Sequence, residues 1–207
     1  MKQNLVIGLA GGTASGKSTL AKKIHAQSHP SATVVLRVDE YYKKLNLPFE
    51  QREKVNYDHP DAFDVDLLVQ HIRLLKQGQS IQQPVYDYKN HNRKEETITV
   101  KPAPVIILEG ILILAIEAIR NEIDFKIFVE TPTDIRLLRR IERDSLERGR
   151  TFESVAKQYL ATVRPMHDLY VEPSKVYANI IVPEGGYNEA ATDLLLTKVA
   201  SLVKEIK

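Results

Sequence analysis

Eight residues near the N-terminus, Gly11-Gly12-Thr13-Ala14-Ser15-Gly16-Lys17-Ser18, fit the pattern G-x-x-x-x-G-K-[ST]. The spacing suits one task. Glycines let the backbone curl until successive N–H groups point inward at an anion, and a helix that follows adds its positive N-terminal end. Lys17 then supplies a cation to the β- and γ-phosphates of a nucleotide and Ser18 a hydroxyl to Mg²⁺, with Thr19 next in line. The plain alternative is a glycine-rich turn between a strand and a helix.

Two acids stand where such a loop would need them. Asp39 follows the β-branched run at 33–38 and Glu109 follows Val105-Ile106-Ile107-Leu108. In an open α/β sheet, ligands sit beyond the carboxyl ends of the strands. Phosphoryl transfer asks for alignment, charge neutralisation and a proton acceptor for the attacking hydroxyl. Asp39 is the candidate acceptor and a candidate contact to Mg²⁺, and Glu109 is a candidate Mg²⁺ ligand through water. Mg²⁺ takes hard oxygen ligands and keeps several waters, so two carboxylates and the Ser18 hydroxyl suffice. Taken singly, each acid could equally cap a helix.

A third group is basic. Arg136, Arg139, Arg140 and Arg143 recur at three- and four-residue spacing, which puts Arg136, Arg140 and Arg143 on one helix face, and Arg148 and Arg150 flank Gly149. Interleaved acids at 134, 142, 144 and 147 also fit a salt-bridged surface helix. Beside a phosphate loop, guanidinium forks that match phosphate oxygens fit a lid over the nucleotide at 133–150.

The elements that must position these residues read as α/β. Uninterrupted apolar runs at 5–10, 33–38, 105–108, 125–129 and 179–182 alternate with helical patterns, as in a parallel sheet covered on both faces. Helices are predicted at 18–27, at 61–77 with Asp61 as cap and Gly78 as stop, at 133–147 with Ile135, Leu138 and Ile141 on one face, and at 188–207 capped by Asn188. Residues 151–170 read as a helix kinked or broken at Pro165. The polar segment 80–102, with period-two patches, reads as a β-hairpin arm outside the sheet. The whole chain, 1–207, is expected to form one kinase domain.

Bulk properties narrow the class. The chain has 207 residues, 43% hydrophobic and 27% charged, and 29 basic against 27 acidic residues leave a net charge of +2. No general attraction to nucleic acid is expected from that balance. With no cysteine, disulfides, thiolate metal sites and cysteine nucleophiles are excluded, and a reducing cytoplasm is the plain reading. The apolar run at 5–10 is too short for a signal peptide, and the run at 105–119 is interrupted by Glu109, Gly110 and Glu117, so no membrane span is expected. The Asp-x-x-Gly and Asn-Lys-x-Asp motifs of a GTPase switch are absent.

The chain resembles the uridine kinase (uridine–cytidine kinase) family of P-loop kinases over nearly its whole length. The resemblance is carried by Gly11–Ser18, Asp39-Glu40-Tyr41-Tyr42, Asn56-Tyr57-Asp58-His59-Pro60, Pro84-Val85-Tyr86-Asp87-Tyr88 with His91 and Arg93, Leu108-Glu109-Gly110, the arginines from 139 to 150, and Glu172-Pro173-Ser174-Lys175. It implies transfer of the γ-phosphate of ATP or GTP, with Mg²⁺, to the 5′-hydroxyl of uridine or cytidine in pyrimidine salvage. Asp39 is then the catalytic base and Asp58 the acceptor of hydrogen bonds from the ribose 2′- and 3′-hydroxyls. Arg140 and Gln158 hold the sugar, and Arg150 reaches the nucleoside. Arg143 and Arg148 face the triphosphate. Tyr86 and His91 read the pyrimidine edge, between aromatic walls from Tyr57 and Tyr88, which could also be simple core aromatics. The family commonly forms tetramers and is subject to inhibition by pyrimidine triphosphates. Where the family usually has Pro-Arg-Gly, this chain has Pro183-Glu184-Gly185, which bears on the choice between ATP and GTP. Two other readings remain open on the residues: a kinase of another hydroxylated metabolite, such as pantothenate or ribulose phosphate, and a nucleotide-binding regulator without turnover.

Overall fold

The computed structural model describes residues 4–29 and 31–206; Lys207, at the end of the predicted last helix, and the first three residues lie outside them. Five strands form a parallel sheet in the order β2-β5-β1-β6-β7: β1 Leu5–Ala10, β2 Thr33–Arg37, β5 Val105–Glu109, β6 Phe125–Glu130 and β7 Ile180–Pro183. Two more, β3 Ile81–Asp87 and β4 Asn92–Val100, pair antiparallel as a separate hairpin. The helices are α1 Lys17–Gln27, α2 Phe49–Arg52, α3 Val65–Lys76, α4 Glu117–Arg120, α5 Thr133–Leu146, α6 Phe152–Gln158, α7 Arg164–Met166 and α8 Glu189–Ile206. None among the described residues is long and apolar enough to cross a membrane.

Period-two alternation divides the strand residues between two cores. Val6, Leu36, Ile106 and Leu108 pack with Leu68, Ile72 and Leu75 of α3 on one face of the sheet. Ile7, Leu9, Val105, Ile107 and Ile127 pack with Leu20 and Ile24 of α1 and Leu195 and Val199 of α8 on the other. Each such side chain, removed from water, contributes about 1.5–3 kcal/mol. This two-sided burial explains why the central strands read as unbroken apolar runs. The parallel register sets Leu9 and Arg37 on either side of Glu109 at the carboxyl end of the sheet.

Three local expectations change. The helix predicted at 61–77 begins at Val65, with Asp64 Oδ1 accepting from the Leu67 N–H at 3.3 Å, and Asp61 sits in a short 3-10 turn, Pro60–Ala62. The bridge between Phe63 and Tyr42 holds Phe63 extended, so the helix cannot start earlier. Of the kink or break expected at Pro165 there is no break: helical backbone runs from Phe152 to Val171, with irregular turns on either side of the proline. The proline has no N–H for the Ala161 carbonyl, and the chain absorbs this with wide π-helical turns at Tyr159–Val163 and His167–Val171, where Arg164 donates back to Tyr159 O. Third, the apolar residues Ile135 and Leu138 of α5 point to solvent while Arg136, Arg140 and Asp144 are buried.

Candidate active site

β1 delivers the chain into the glycine loop, and α1 leaves it at Lys17. Gly16 turns the chain at φ +94°, a left-handed conformation that glycine adopts without a Cβ penalty, and Ala14 also takes a positive φ, +56°. The loop is braced from outside. Thr131 Oγ1, just past β6, donates to Ser15 O at 2.9 Å, and Arg140 Nη1 donates to Thr13 Oγ1 at 2.9 Å. The Arg136 guanidinium lies against Gly12, held by Thr131 O, Thr133 Oγ1 and His167 Nε2. Thr19, the next residue, sets its methyl against Gly186. The Glu184-Gly185-Gly186 turn packs through its backbone on Gly16, and the Glu184 side chain is exposed.

Lys17, Asp39, Glu109 and Ser18 share one neighbourhood. Ser18 Oγ donates to Glu109 Oε2 at 2.8 Å. Burial pushes the Lys17 ammonium down from its usual range, against the pull of the Glu109 and Asp39 carboxylates. Burial pushes Glu109 up; Lys17 opposes this and Asp39 adds to it. Asp39, in the 3-10 turn Val38–Tyr41 after β2, keeps a buried Oδ1 with no hydrogen-bond partner. A buried carboxylate oxygen left unpaired is costly unless something else meets it. Two carboxylates and a hydroxyl, all hard oxygen donors, fit Mg²⁺ that keeps other positions for water and phosphate oxygens. No group of three or more His, Cys, Asp or Glu side chains among the described residues could hold a metal unaided.

The arginines converge on a residue that sequence reasoning passed over. Asp144, fully buried on α5, meets Arg143 Nη2 at 2.8 Å, Arg148 Nη1 at 3.4 Å, Arg140 Nε at 3.6 Å and Arg150 Nη1 at 3.8 Å. Its spacing was the available signal: one residue after Arg143 and four from both Arg140 and Arg148. Gln158 Oε1 accepts from Arg140 Nη2 at 2.9 Å and from Arg150 Nη1. Burial lowers Arg140, offset by the Asp144 and Asp58 carboxylates.

Asp58 lies in the field of both Arg140 and Asp39. Burial raises its carboxyl above the usual range; Arg140 pulls it back and Asp39 adds to the rise. The hairpin is fastened beside these carboxylates. Glu40, buried behind Asp39, accepts from the Tyr86 N–H at 2.8 Å and pairs with Arg37, and so fixes β3 to the end of β2. Tyr86 is buried among Tyr42, Tyr57 and Tyr88, with ring centroids 5.0–6.1 Å away, and its hydroxyl makes no hydrogen bond. Tyr57 stacks on His91 at 5.6 Å and 22°, and Arg148 lies 5.4 Å over the Tyr88 ring. Burial, then Arg150, lowers the His91 imidazole, leaving it neutral near pH 7. Tyr42, at the centre of the cluster, was missed as a lining residue; it follows Tyr41 in a run that gives no periodic cue.

Residues 6–191 match the family model described as Phosphoribulokinase / Uridine kinase family. The chain is 52% identical over 205 residues to a uridine kinase of Halalkalibacterium halodurans, covering 99% of this chain and 97% of that one. It is 50% identical over 206 residues to a uridine kinase of Clostridium botulinum (strain Kyoto / Type A2), covering 99% and 100%. Among solved structures, phosphoribulokinase from Rhodobacter spheroides superposes with a TM-score of 0.66 at 15% identity, covering 88% of this chain and 71% of that one, a likeness of fold.

Proposed function

This chain belongs to the phosphoribulokinase/uridine kinase family, and we propose that it is a uridine kinase, moving the γ-phosphate of ATP or GTP to the 5′-hydroxyl of uridine or cytidine to give UMP or CMP. The observation that carries the reading is the buried, unpartnered Asp39 Oδ1, set in the same field as Lys17 and Glu109 at the mouth of the glycine loop.

The chemistry follows from the residues. The N–H groups of Gly11–Ser18 and the first turn of α1 receive the phosphates. Ser18, Asp39 and Glu109 would hold Mg²⁺, which supplies charge neutralisation on the phosphate oxygens. Asp58 accepts hydrogen bonds from the ribose 2′- and 3′-hydroxyls, with Arg140, Arg150 and Gln158 beside it. That grip turns the 5′-hydroxyl toward Asp39, which takes its proton as the oxygen attacks the γ-phosphorus; the bond to the β,γ-bridging oxygen breaks and the diphosphate leaves. Lys17, Arg143 and Arg148 stabilise charge on the transferring group. Tyr86 and His91 meet the pyrimidine edge, and Tyr57 and Tyr88 flank it. A neutral imidazole can donate or accept, which suits both a uracil carbonyl and a cytosine amine. Segment 133–150 acts as the lid and 80–102 as the arm over the acceptor within one kinase domain. The enzyme works in the cytoplasm as a homo-oligomer.

A coupled ADP assay over an acceptor panel tests this. ADP should form with uridine or cytidine, far more slowly with 2′-deoxyuridine, and at background with adenosine, pantothenate and ribulose 5-phosphate. Turnover of pantothenate or ribulose 5-phosphate above that of uridine would replace the reading, and no turnover with any acceptor would leave a nucleotide-binding regulator.

A further inference from the structure

The carboxylate of Asp144 is divided between two pairs of arginines. Oδ1 takes Arg143 through both Nε at 2.9 Å and Nη2 at 2.8 Å, with Arg148 at 3.4 Å. Oδ2 faces Arg140 and Arg150 at 3.6 and 3.8 Å, and it makes no hydrogen bond, nor does Arg140 Nε. The carboxylate is thus committed to one pair and only near the other.

Between them the four arginines reach both substrate sites. Arg143 lies close enough to Lys17 to disfavour its charge, on the phosphate-loop side. Arg140 sits in the field of Asp58 and also reaches the loop at Thr13 Oγ1, both Arg140 and Arg150 hold Gln158, and Arg148 lies over the Tyr88 ring. The side chains also differ in freedom: Arg143, Arg148 and Arg150 are 31%, 38% and 28% exposed, whereas Arg140 is 8% and Asp144 0% exposed. Arg143 and Arg148, the outer pair on Oδ1, can leave and the inner carboxylate cannot.

An anionic triphosphate in the loop competes with Asp144 for the outer guanidinium groups, since phosphate oxygens accept the same forked donors. A carboxylate relieved of Arg143 and Arg148 has its full charge for Arg140 and Arg150. At a buried site an ion pair that tightens to hydrogen-bonding distance gains substantially, because little water screens it.

We propose that Asp144 is a positioning residue that couples the two substrate sites: donor phosphates draw Arg143 and Arg148 off Oδ1, and the freed carboxylate locks Arg140, Arg150 and Gln158 in place for the nucleoside. The proposal rests on the uridine kinase reading. It makes donor binding tighten nucleoside binding, with a coupling of about 5-fold or more, the usual lower range for linked sites.

The test is calorimetric titration of uridine into the full-length protein, with and without the β,γ-imido analogue of ATP plus Mg²⁺. In the unaltered chain the analogue should tighten uridine binding about 5-fold or more. In Asp144→Asn, which keeps the shape and removes the charge, the ratio should fall to about one, with uridine bound as weakly as in the absence of donor. Arg143→Gln, which takes the main competitor off Oδ1, should bind uridine without donor more tightly than the unaltered chain does. A purely structural role for Asp144 gives no such gain, and this variant decides the matter if Asp144→Asn does not fold. Retained coupling in a folded Asp144→Asn, no coupling in the unaltered chain, or weaker donor-free binding in Arg143→Gln overturns the proposal alone. Failure of uridine to bind the unaltered chain overturns the underlying reading and the proposal with it.

Discussion

Ser18 Oγ donates to Glu109 Oε2 across 2.8 Å, tying the first turn of α1 to the end of β5. The bond joins the hydroxyl and one carboxylate of the proposed Mg²⁺ set before any ion arrives. Glu109→Gln keeps the shape and removes the charge. The Mg²⁺ concentration for half-maximal rate is expected to rise about tenfold or more, equivalent to ~1.4 kcal/mol. A Mg²⁺ titration of the rate checks this, and an unchanged midpoint removes Glu109 from the set.

Asp39→Asn should cost about 10²-fold or more in kcat, the usual scale for loss of a general base. The KM for uridine should change much less, since Asp58, Arg140 and Gln158 remain in place. Unchanged kcat would mean that Asp39 takes no proton.

Asp58 is a case of function opposed to stability. Its carboxyl is raised by burial, so the folded chain holds the charged form at a cost. A raised folded pKa gives stability that is present below the unfolded value and lost as pH rises through the folded one. At neutral pH the charge is therefore a liability, and Asp58→Asn should raise Tm, by about 2–4 °C if the gain is ~1 kcal/mol. That gain should shrink in acid, as the native carboxyl takes up its proton. The same variant should bind uridine more weakly, while 2′-deoxyuridine suffers less. Thermal scans at pH 4 and 7, with uridine and 2′-deoxyuridine titrations, check both halves.

A methyl group at Gly12 would stand 2.5 Å from Arg136 Nη1. Arg136 is buried and pinned by three hydrogen bonds, which a shift would strain. Gly12→Ala should therefore destabilise the fold by about 1–3 kcal/mol and raise the KM for ATP. Denaturant melts and donor saturation curves read the two effects separately.

The parallel sheet was legible because β1 and β5 are buried on both faces, and an unbroken run such as Val105–Leu108 has little else to be. The glycine loop was legible because its chemistry lies in eight consecutive residues. The arginine helix was legible only in part. Arg136, Arg140 and Arg143 could be grouped on one side, but an apolar stripe at Ile135 and Leu138 normally marks the buried side, and here it is the reverse. What turns the helix over is the set of partners waiting inside: Thr131 just before the helix, and Thr13, Gln158 and His167 from other elements. No local pattern announces those partners. Asp144 was lost for the same reason, since an acid among arginines looks like any solvated ion pair until its burial is known. The start of α3 was misplaced because Asp61 and Asp64 are equally good caps by type, and only the Tyr42–Phe63 bridge chooses between them.

The wide turn at Tyr159–Val163 sets a phase. Gln158 must meet Arg140 and His167 must meet Arg136, and those arginines lie one turn apart on the same side of α5. Nine steps of ~100° would put Gln158 and His167 on opposite sides of a regular helix. One surplus residue, taken up by the wide turn, swings them to within about 80° of each other. The chain around Pro165 is thus timed by residue count as well as by residue type. A one-residue deletion there would leave eight regular steps and the same phase, whereas tightening the wide turn with every residue kept would point His167 away from Arg136.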